Sequence, residues 1–350
     1  VAQNPEDKRD HSRLLQKSRE GELLHTEFKR LPELLPEGSL IIVNETKVFS
    51  CRLLTKTPTG GKLEIFLLEN PIAKDSSSLT ALVKPAKKIK VGMDLTFDEK
   101  VTGKVVKKDQ EGQTKTVQIS FRLKPEELSS WIDKKGSIPL PPYIKRKNQS
   151  QHEEDLERYQ TVYAKNVGSV AAPTAGLHFT PNVLEKLKEK NIEVRAVTLH
   201  VGLGTFLPIK EEVITNHKMH EETYKVPRET LLSIKQKKEE GKKIILVGTT
   251  SLRCLESFFL KSKKENKPAE ELTNRWIKTN LFIYPKESRK TYRPQICDAL
   301  ITNFHQPNSS LFILIAALVG REEALSLYDR AVKEKYRFYS YGDSSLLWLN

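Results

Sequence analysis

Apolar and polar positions change their rhythm three times along the chain. Up to about residue 35 no period dominates, which predicts loops and short helices, and residues 39–43 then read as one buried strand. From about residue 51 to 135 the pattern is short alternating runs separated by turn residues, at 62–68, 79–83, 94–97, 101–107 and 115–123. Asp109-Gln-Glu-Gly112 sits between the last two as a hairpin turn. Strands this short and this closely spaced predict a small all-β, barrel-like module. A polar linker over 145–154 follows.

Beyond the linker, strands and helices alternate. Strands are expected at 169–172, 192–201, 243–247, 281–284 and 299–302. Helices are expected at 181–190, 227–241, 251–264, 310–319 and 322–335, the first opened by Thr180 as N-cap with Pro181 behind it. This alternation predicts an α/β fold, a largely parallel or mixed sheet flanked by helices, with the small all-β barrel-like domain inserted into it. The expected partition is 1–51 with 138–350 as the α/β catalytic domain and 52–137 as the inserted barrel.

Composition narrows the class. The 350 residues are 37% hydrophobic and 30% charged, enough for a sizeable core, so wholesale disorder is excluded. The longest apolar run, 311–319, is far short of the roughly 20 residues needed to span a bilayer. No signal-peptide pattern opens the chain, and Cys51, Cys254 and Cys297 are too few and too scattered for a disulfide framework or a Cys-x-x-Cys site. A cytoplasmic protein without a membrane partner, and a monomer, is expected. The net charge of +14 points to a polyanionic partner, nucleic acid first. Lys84, Lys87 and Lys88 form one basic cluster without acidic neighbours, and Lys145, Arg146 and Lys147 another. With Arg289 and Lys290 these are the candidate phosphate contacts.

Several chemistries are absent from the pattern. The chain has no phosphate-binding Gly-x4-Gly-Lys loop, no His-Glu-x-x-His and no nucleophile elbow, and Gly202-Leu-Gly204 lacks the third glycine of a dinucleotide fingerprint. His217 and His220 have no third ligand nearby, so no metal is expected. What stands out is four expected strand ends rich in small, hydroxyl and imidazole side chains: Thr174 to His178, His200 to Thr205, Gly248 through Thr249 and Thr250 to Ser251, and Asn303 to His305. Open sheets bind ligands beyond the carboxyl ends of their strands, so four such segments predict one polar pocket. Arg253 lies just inside the helix that follows Ser251 and could take a carboxylate. Alternation at 220–226 puts His220, Glu222 and Tyr224 on one strand face, as an acid–base group or a satisfied polar network.

At these segments the chain resembles the S-adenosylmethionine:tRNA ribosyltransferase-isomerase family of queuosine biosynthesis. The likeness runs the length of the chain. It is carried by Ile138-Pro-Leu-Pro-Pro-Tyr-Ile144, Tyr159-Gln-Thr-Val-Tyr163, Ala171-Ala-Pro-Thr-Ala-Gly-Leu-His178, His217-Lys-Met-His220, Val247-Gly-Thr-Thr-Ser-Leu-Arg253, Ile301-Thr-Asn-Phe-His305 and Tyr336-Arg-Phe-Tyr-Ser-Tyr-Gly-Asp343. Departures are Glu45 for the usual Asp, Gln306 and Asn308 after His305, Ser344-Ser345, and a longer basic segment over 286–294.

The resemblance implies a reaction. The ribosyl part of S-adenosylmethionine is moved to the aminomethyl-deazaguanine wobble base of tRNA and rearranged, giving epoxyqueuosine-tRNA and releasing adenine and methionine. It implies no prosthetic group, with S-adenosylmethionine as a substrate. The sulfonium acidifies the adjacent ribose CH₂, so a base is required, and Glu222, His178, His200 and Asp343 are the candidates. Tyr159 or Tyr341 could face the sulfonium, and Arg253 with residues 248–251 the methionine carboxylate. A methyltransferase using the same substrate, or a non-catalytic basic RNA-binding protein, are the competing classes.

Overall fold

The computed structural model describes the chain except residues 112–113, 147–148, 203–208, 210, 212, 218, 286–290 and 350. Its centre is a nine-stranded mixed sheet. From one edge the strands are Ile277–Thr279, Glu222–Lys225, Glu193–His200, Leu40–Asn44, Ile244–Val247, Ala299–Asn303, Ser344–Trp348, Arg13–Lys17 and Leu23–Glu27. The four from Glu193–His200 to Ala299–Asn303 are mutually parallel, while the strands beyond them on both sides introduce antiparallel pairs.

Burial explains the apolar runs. Leu40 and Ile42 point into one core with Ile244, Leu246 and Leu300. Ile41 and Val43 point into the other with Ile245, Val247 and Ile301. A strand covered on both faces needs apolar side chains at every position, because its period-2 alternation alternates between two interiors. The first core is covered by the helices Arg228–Glu239, Gly248–Glu265, Ser310–Val319 and Arg321–Lys333. The second is covered by Pro181–Glu189, which inserts Val183 and Leu187. That helix opens as expected: Thr180 Oγ1 accepts from the Val183 N–H at 3.2 Å with Pro181 at the first turn. No helix among the described residues is long and apolar enough to cross a membrane.

Six strands between Arg52 and Phe121 close into an antiparallel barrel. Along Ser78–Lys84, Leu79, Ala81 and Val83 face its interior and the alternate residues face out. The helix Pro125–Lys135 places Leu128 and Ile132 against that interior. The expected α/β fold with an inserted barrel is what the chain adopts, the sheet being mixed.

Local departures from expectation have local causes. The first 35 residues contain a hairpin, Arg13–Lys17 paired with Leu23–Glu27, whose outer strand is largely uncovered and so shows no apolar alternation. The barrel region includes the helix at 125–135, and the linker carries the helix Gln149–Arg158. The strand Thr102–Glu111 runs through Asp109 and Gln110, and its partner begins at Thr114, so the hairpin turns later than Asp109. Residues 169–172 do not enter the sheet. Asn166–Ser169 pairs with Thr46–Val48 in a separate ribbon, and Ser169 Oγ then ties the chain to Ala171 O at 2.7 Å. The apolar run 281–284 is not a strand either, the edge strand being Ile277–Thr279. Ser344–Trp348, unmarked in the sequence, fills the gap between Ala299–Asn303 and Arg13–Lys17.

Candidate active site

The carboxyl ends of the four parallel strands share one edge of the sheet, and two cavities open there. The larger is an open cleft lined by Tyr143, Thr174, Asn303, His305, Tyr339 and Ser340, among others. The smaller is lined by Met219, Arg253, Phe282, Ser310 and Leu314, among others. Leu311 belongs to both walls, so the cavities are neighbours.

Strand-to-helix geometry sets the first group. Thr174–His178 is a single 3-10 turn, which exposes Thr174 to the cleft and buries His178 behind it. Gly176 is required inside that turn, since a Cβ there would lie 2.1 Å from the Tyr163 hydroxyl. His178 stacks on Phe28 at 5.1 Å and pairs through Nδ1 with Ser12 Oγ at 2.6 Å. Burial lowers its pKa to about 4 against the opposing pull of Asn303, so the imidazole is neutral at physiological pH. His178 Nε2 completes no hydrogen bond among the described residues, and neither does Asn303 Oδ1. Asn303 Nδ2 is engaged, donating to Tyr339 O at 3.0 Å. His305 pairs with Thr302 Oγ1 at 2.8 Å, and burial lowers its pKa to about 3.

The helix after Ile244–Val247 begins at Gly248, so residues 248–251 form its first turn and not a loop before it. Gly248 takes φ +84°, a value that lets the chain reverse from strand to helix without a Cβ penalty. Ser251 Oγ donates to Val247 O at 2.7 Å, while Thr249 and Thr250 are buried. None of the three lines either cavity. One and a half turns on, Arg253 forms a buried ion pair with Glu222 and donates from Nε to Leu281 O at 3.1 Å. Glu222 Oε1 also accepts the Gly202 N–H at 2.9 Å. The Arg253 Nη2 group has no partner among the described residues.

Other expected site residues are elsewhere or otherwise engaged. His220 is exposed and precedes the strand Glu222–Lys225, so only Glu222 and Tyr224 share its buried face. His200 bonds Thr46 Oγ1 at 2.8 Å and stacks on Trp276 at 4.9 Å, lining neither cavity. Burial and Lys225 lower its pKa to about 4. Asp343 accepts the N–H groups of Arg13 at 3.0 Å and Arg337 at 2.7 Å, and it folds a turn. Tyr159 is fully buried edge-on to Tyr341, whose hydroxyl donates to Asp155 at 2.9 Å. A cation already lies over Tyr341: Arg146 Cζ is 5.8 Å from its ring centre. Thr205 lies outside the described residues.

Among the basic residues, Lys84, Lys87, Lys88 and Lys145 are exposed. Arg146 is not free for phosphate. Its guanidinium makes two bonds to Asp155, at 2.6 and 2.8 Å, and its side chain is 5% exposed. Lys147, Arg289 and Lys290 lie outside the described residues. The sequence reading missed Tyr143 and Tyr339, whose rings are 4.8 Å apart at the cleft. Both sit inside motifs quoted above, 138–144 and 336–343, so the signal was present without a role attached.

The comparisons agree with this architecture. A family profile described as queuosine biosynthesis protein matches residues 1–347. A Thermotoga maritima protein named S-adenosylmethionine:tRNA ribosyltransferase-isomerase is 41% identical over 348 residues, 99% of this chain and 96% of that one. A Clostridioides difficile protein of the same name is 43% identical over 350 residues, with the same coverage. The crystal structure of an S-adenosylmethionine tRNA ribosyltransferase from Thermotoga maritima superposes with a TM-score of 0.50 at 30% identity, covering 99% of this chain and 96% of that one. Matched along nearly its whole length by both family and relatives, the chain belongs to the queuosine biosynthesis protein family.

Proposed function

We propose that the chain transfers the ribosyl moiety of S-adenosylmethionine to the aminomethyl-deazaguanine wobble base of tRNA and isomerises it, yielding epoxyqueuosine-tRNA, adenine and methionine. Family membership supports the reaction, and one structural observation supports its location. The smaller cavity combines apolar walls with Arg253, whose Nη2 has no partner among the described residues, and it adjoins a larger polar cleft through Leu311. The methionine part takes the first, with its carboxylate on Arg253 once the walls part to admit it, and the nucleoside part takes the second.

Roles follow from what each side chain is free to do. Glu222 is the ion-pair partner that orients Arg253, so it acts as a positioning residue. Asp343 is committed to two backbone N–H groups, and His200 to Thr46 and the Trp276 ring. His178 is the remaining candidate base: it is neutral, Ser12 fixes its Nδ1, and its Nε2, set toward Asn303, completes no hydrogen bond among the described residues. It lies behind Thr174 and, like His200, lines neither cavity, so the substrate has to reach it past the Thr174–His178 turn. The sulfonium supplies the acidity of the ribose CH₂ by withdrawing electrons from it. Removal of that proton forms an ylide that expels the ring oxygen from C4′, and a C1′ aldehyde forms as protonated adenine departs. The neutral primary amine of the tRNA base adds to the resulting vinyl sulfonium at C4′ and loses a proton. The regenerated ylide carbon closes on C1′, and the alkoxide formed there displaces methionine by breaking the C–S bond as it closes the epoxide. Lys84, Lys87, Lys88 and Lys145 are the proposed contacts to tRNA phosphates.

The test is to incubate the purified chain with S-adenosylmethionine and tRNA carrying the precursor base. Release of adenine and methionine together, with a matching mass gain in the tRNA, is the expected result. S-adenosylhomocysteine in their place would identify a methyltransferase. Binding of tRNA with no product at all would reduce the chain to an RNA-binding protein.

A further inference from the structure

The larger cleft has an electrostatic peculiarity. Among the described residues that line it there is no Asp, Glu, Lys or Arg. Its one titratable imidazole, His305, is kept neutral by burial, with a pKa of about 3. What lines it instead is electron-rich and uncharged, chiefly the rings of Tyr143 and Tyr339, with Asn303 buried behind them and set toward His178.

These groups are held in place at some conformational cost. Tyr339 has φ +74°, a left-handed conformation that a bulky non-glycine residue adopts only where its surroundings impose it. Three hydrogen bonds impose it here. The Tyr339 N–H donates to Phe304 O at 2.8 Å, and Tyr339 O accepts from Gly342 N at 2.9 Å and from Asn303 Nδ2 at 3.0 Å. The same Asn303 amide therefore fixes the backbone of Tyr339 and turns its own carbonyl oxygen away from those bonds. Tyr143 is set against Tyr339 with ring centres 4.8 Å apart, and its hydroxyl pairs with Ser340 Oγ at 2.5 Å.

We infer that Tyr143 and Tyr339 form a charge reader that binds the sulfonium form of the substrate in preference to a neutral thioether. This rests on the reading that the cleft takes S-adenosylmethionine. Ring quadrupoles attract a soft cation. They do so without the full countercharge of a carboxylate, which would cancel more of the field that acidifies the neighbouring CH₂. A neutral reader suits a site where the cation must be recognised and its electron withdrawal preserved.

The experiment measures Kd by calorimetry for three ligands: S-adenosylmethionine, S-adenosylhomocysteine, and the analogue with a protonated amine in place of the sulfonium. The wild type should favour both cations over the thioether. Tyr143→Leu and Tyr339→Leu should each cut that preference by about 3- to 30-fold, the range of one partly desolvated cation–π contact. Tyr339→Phe keeps the ring and should keep the preference. Tyr339→Gly suits the positive φ, so it keeps the backbone where the Leu variant does not fold, and it should lose the preference as well. If all variants weaken the three ligands equally, the rings are only packing and the inference is overturned. If the wild type binds none of the three, the ribosyl-transfer reading fails first and takes the charge reader with it.

Discussion

Replacing Glu222 by Gln separates two roles that the sequence alone leaves open. The carboxylate is 5% exposed, paired with Arg253 and bonded to the Gly202 N–H at 2.9 Å. Gln keeps the shape and can still accept from Gly202, but it leaves the Arg253 guanidinium as a buried charge without its counterion. Removing one partner of a buried pair typically costs about 3–5 kcal/mol. For a domain of this size that is a fall of roughly 6 to 20 °C in Tm. Arg253 would also lose its orientation toward the smaller cavity. The KM for S-adenosylmethionine should therefore rise at least tenfold, while tRNA affinity and the pH profile of kcat stay near wild type.

A general base would behave differently. Its loss lowers kcat by about 10² to 10⁴ and leaves substrate binding in place. The assay is thus a pair of measurements on one variant: thermal unfolding without ligand, and steady-state kinetics with each substrate varied. Wild-type Tm and wild-type KM combined with a collapsed kcat would refute the positioning role and make Glu222 the base.

Three further outcomes are expected. His178 and His305 have pKa values of about 4 and about 3 against 6.5 for a free imidazole, so the unfolded chain binds more protons between those values. Their contribution is complete above pH 6.5 and is lost as pH falls through that window, by up to about 3 kcal/mol for His178; a Tm unchanged from pH 7 to 4.5 would contradict their buried neutrality. Changing Lys84, Lys87 and Lys88 together to Gln should reduce the log–log salt slope of tRNA binding by about 2 to 3, and an unchanged slope removes that cluster from the interface. Arg146→Gln should lower Tm by breaking the bonds to Asp155 while leaving that slope unaltered, and a slope reduced by about 1 would return Arg146 to the phosphate contacts.

How much the sequence disclosed depends on what each residue's neighbours are. The central strands were legible because burial on two faces demands uninterrupted apolar residues, and the barrel because its strands alternate. The run Leu281 to Ile283 misled for the opposite reason. Its apolar side chains line the smaller cavity, so hydrophobicity there reports a cavity wall and not a sheet. The hairpin Arg13–Lys17 with Leu23–Glu27 was hidden because an uncovered edge strand has no interior to face.

The site divides along the same line. Asn303 and His305 line the cleft because Ala299–Asn303 is one of the parallel strands whose ends converge, whereas Thr174 reaches it from a 3-10 turn outside the sheet. Arg146 and Asp343 could not be read in that way. A Lys-Arg-Lys run looks like a phosphate grip until Asp155, nine positions later, closes on the arginine, and Asp343 looks like a base until two backbone N–H groups occupy it. Charge is read from sequence one residue at a time, whereas availability is a property of pairs brought together by the fold. Buried atoms without a partner among the described residues, of which Arg253 Nη2 belongs to a cavity-lining side chain, are therefore better guides to this chemistry than the most charged segments. Leaving a buried donor or acceptor unsatisfied is unfavourable by about 1–3 kcal/mol. On the proposed function, a substrate carboxylate that satisfies Arg253 Nη2 recovers that free energy on binding, so the affinity for S-adenosylmethionine should depend on Arg253 more than on any exposed lysine.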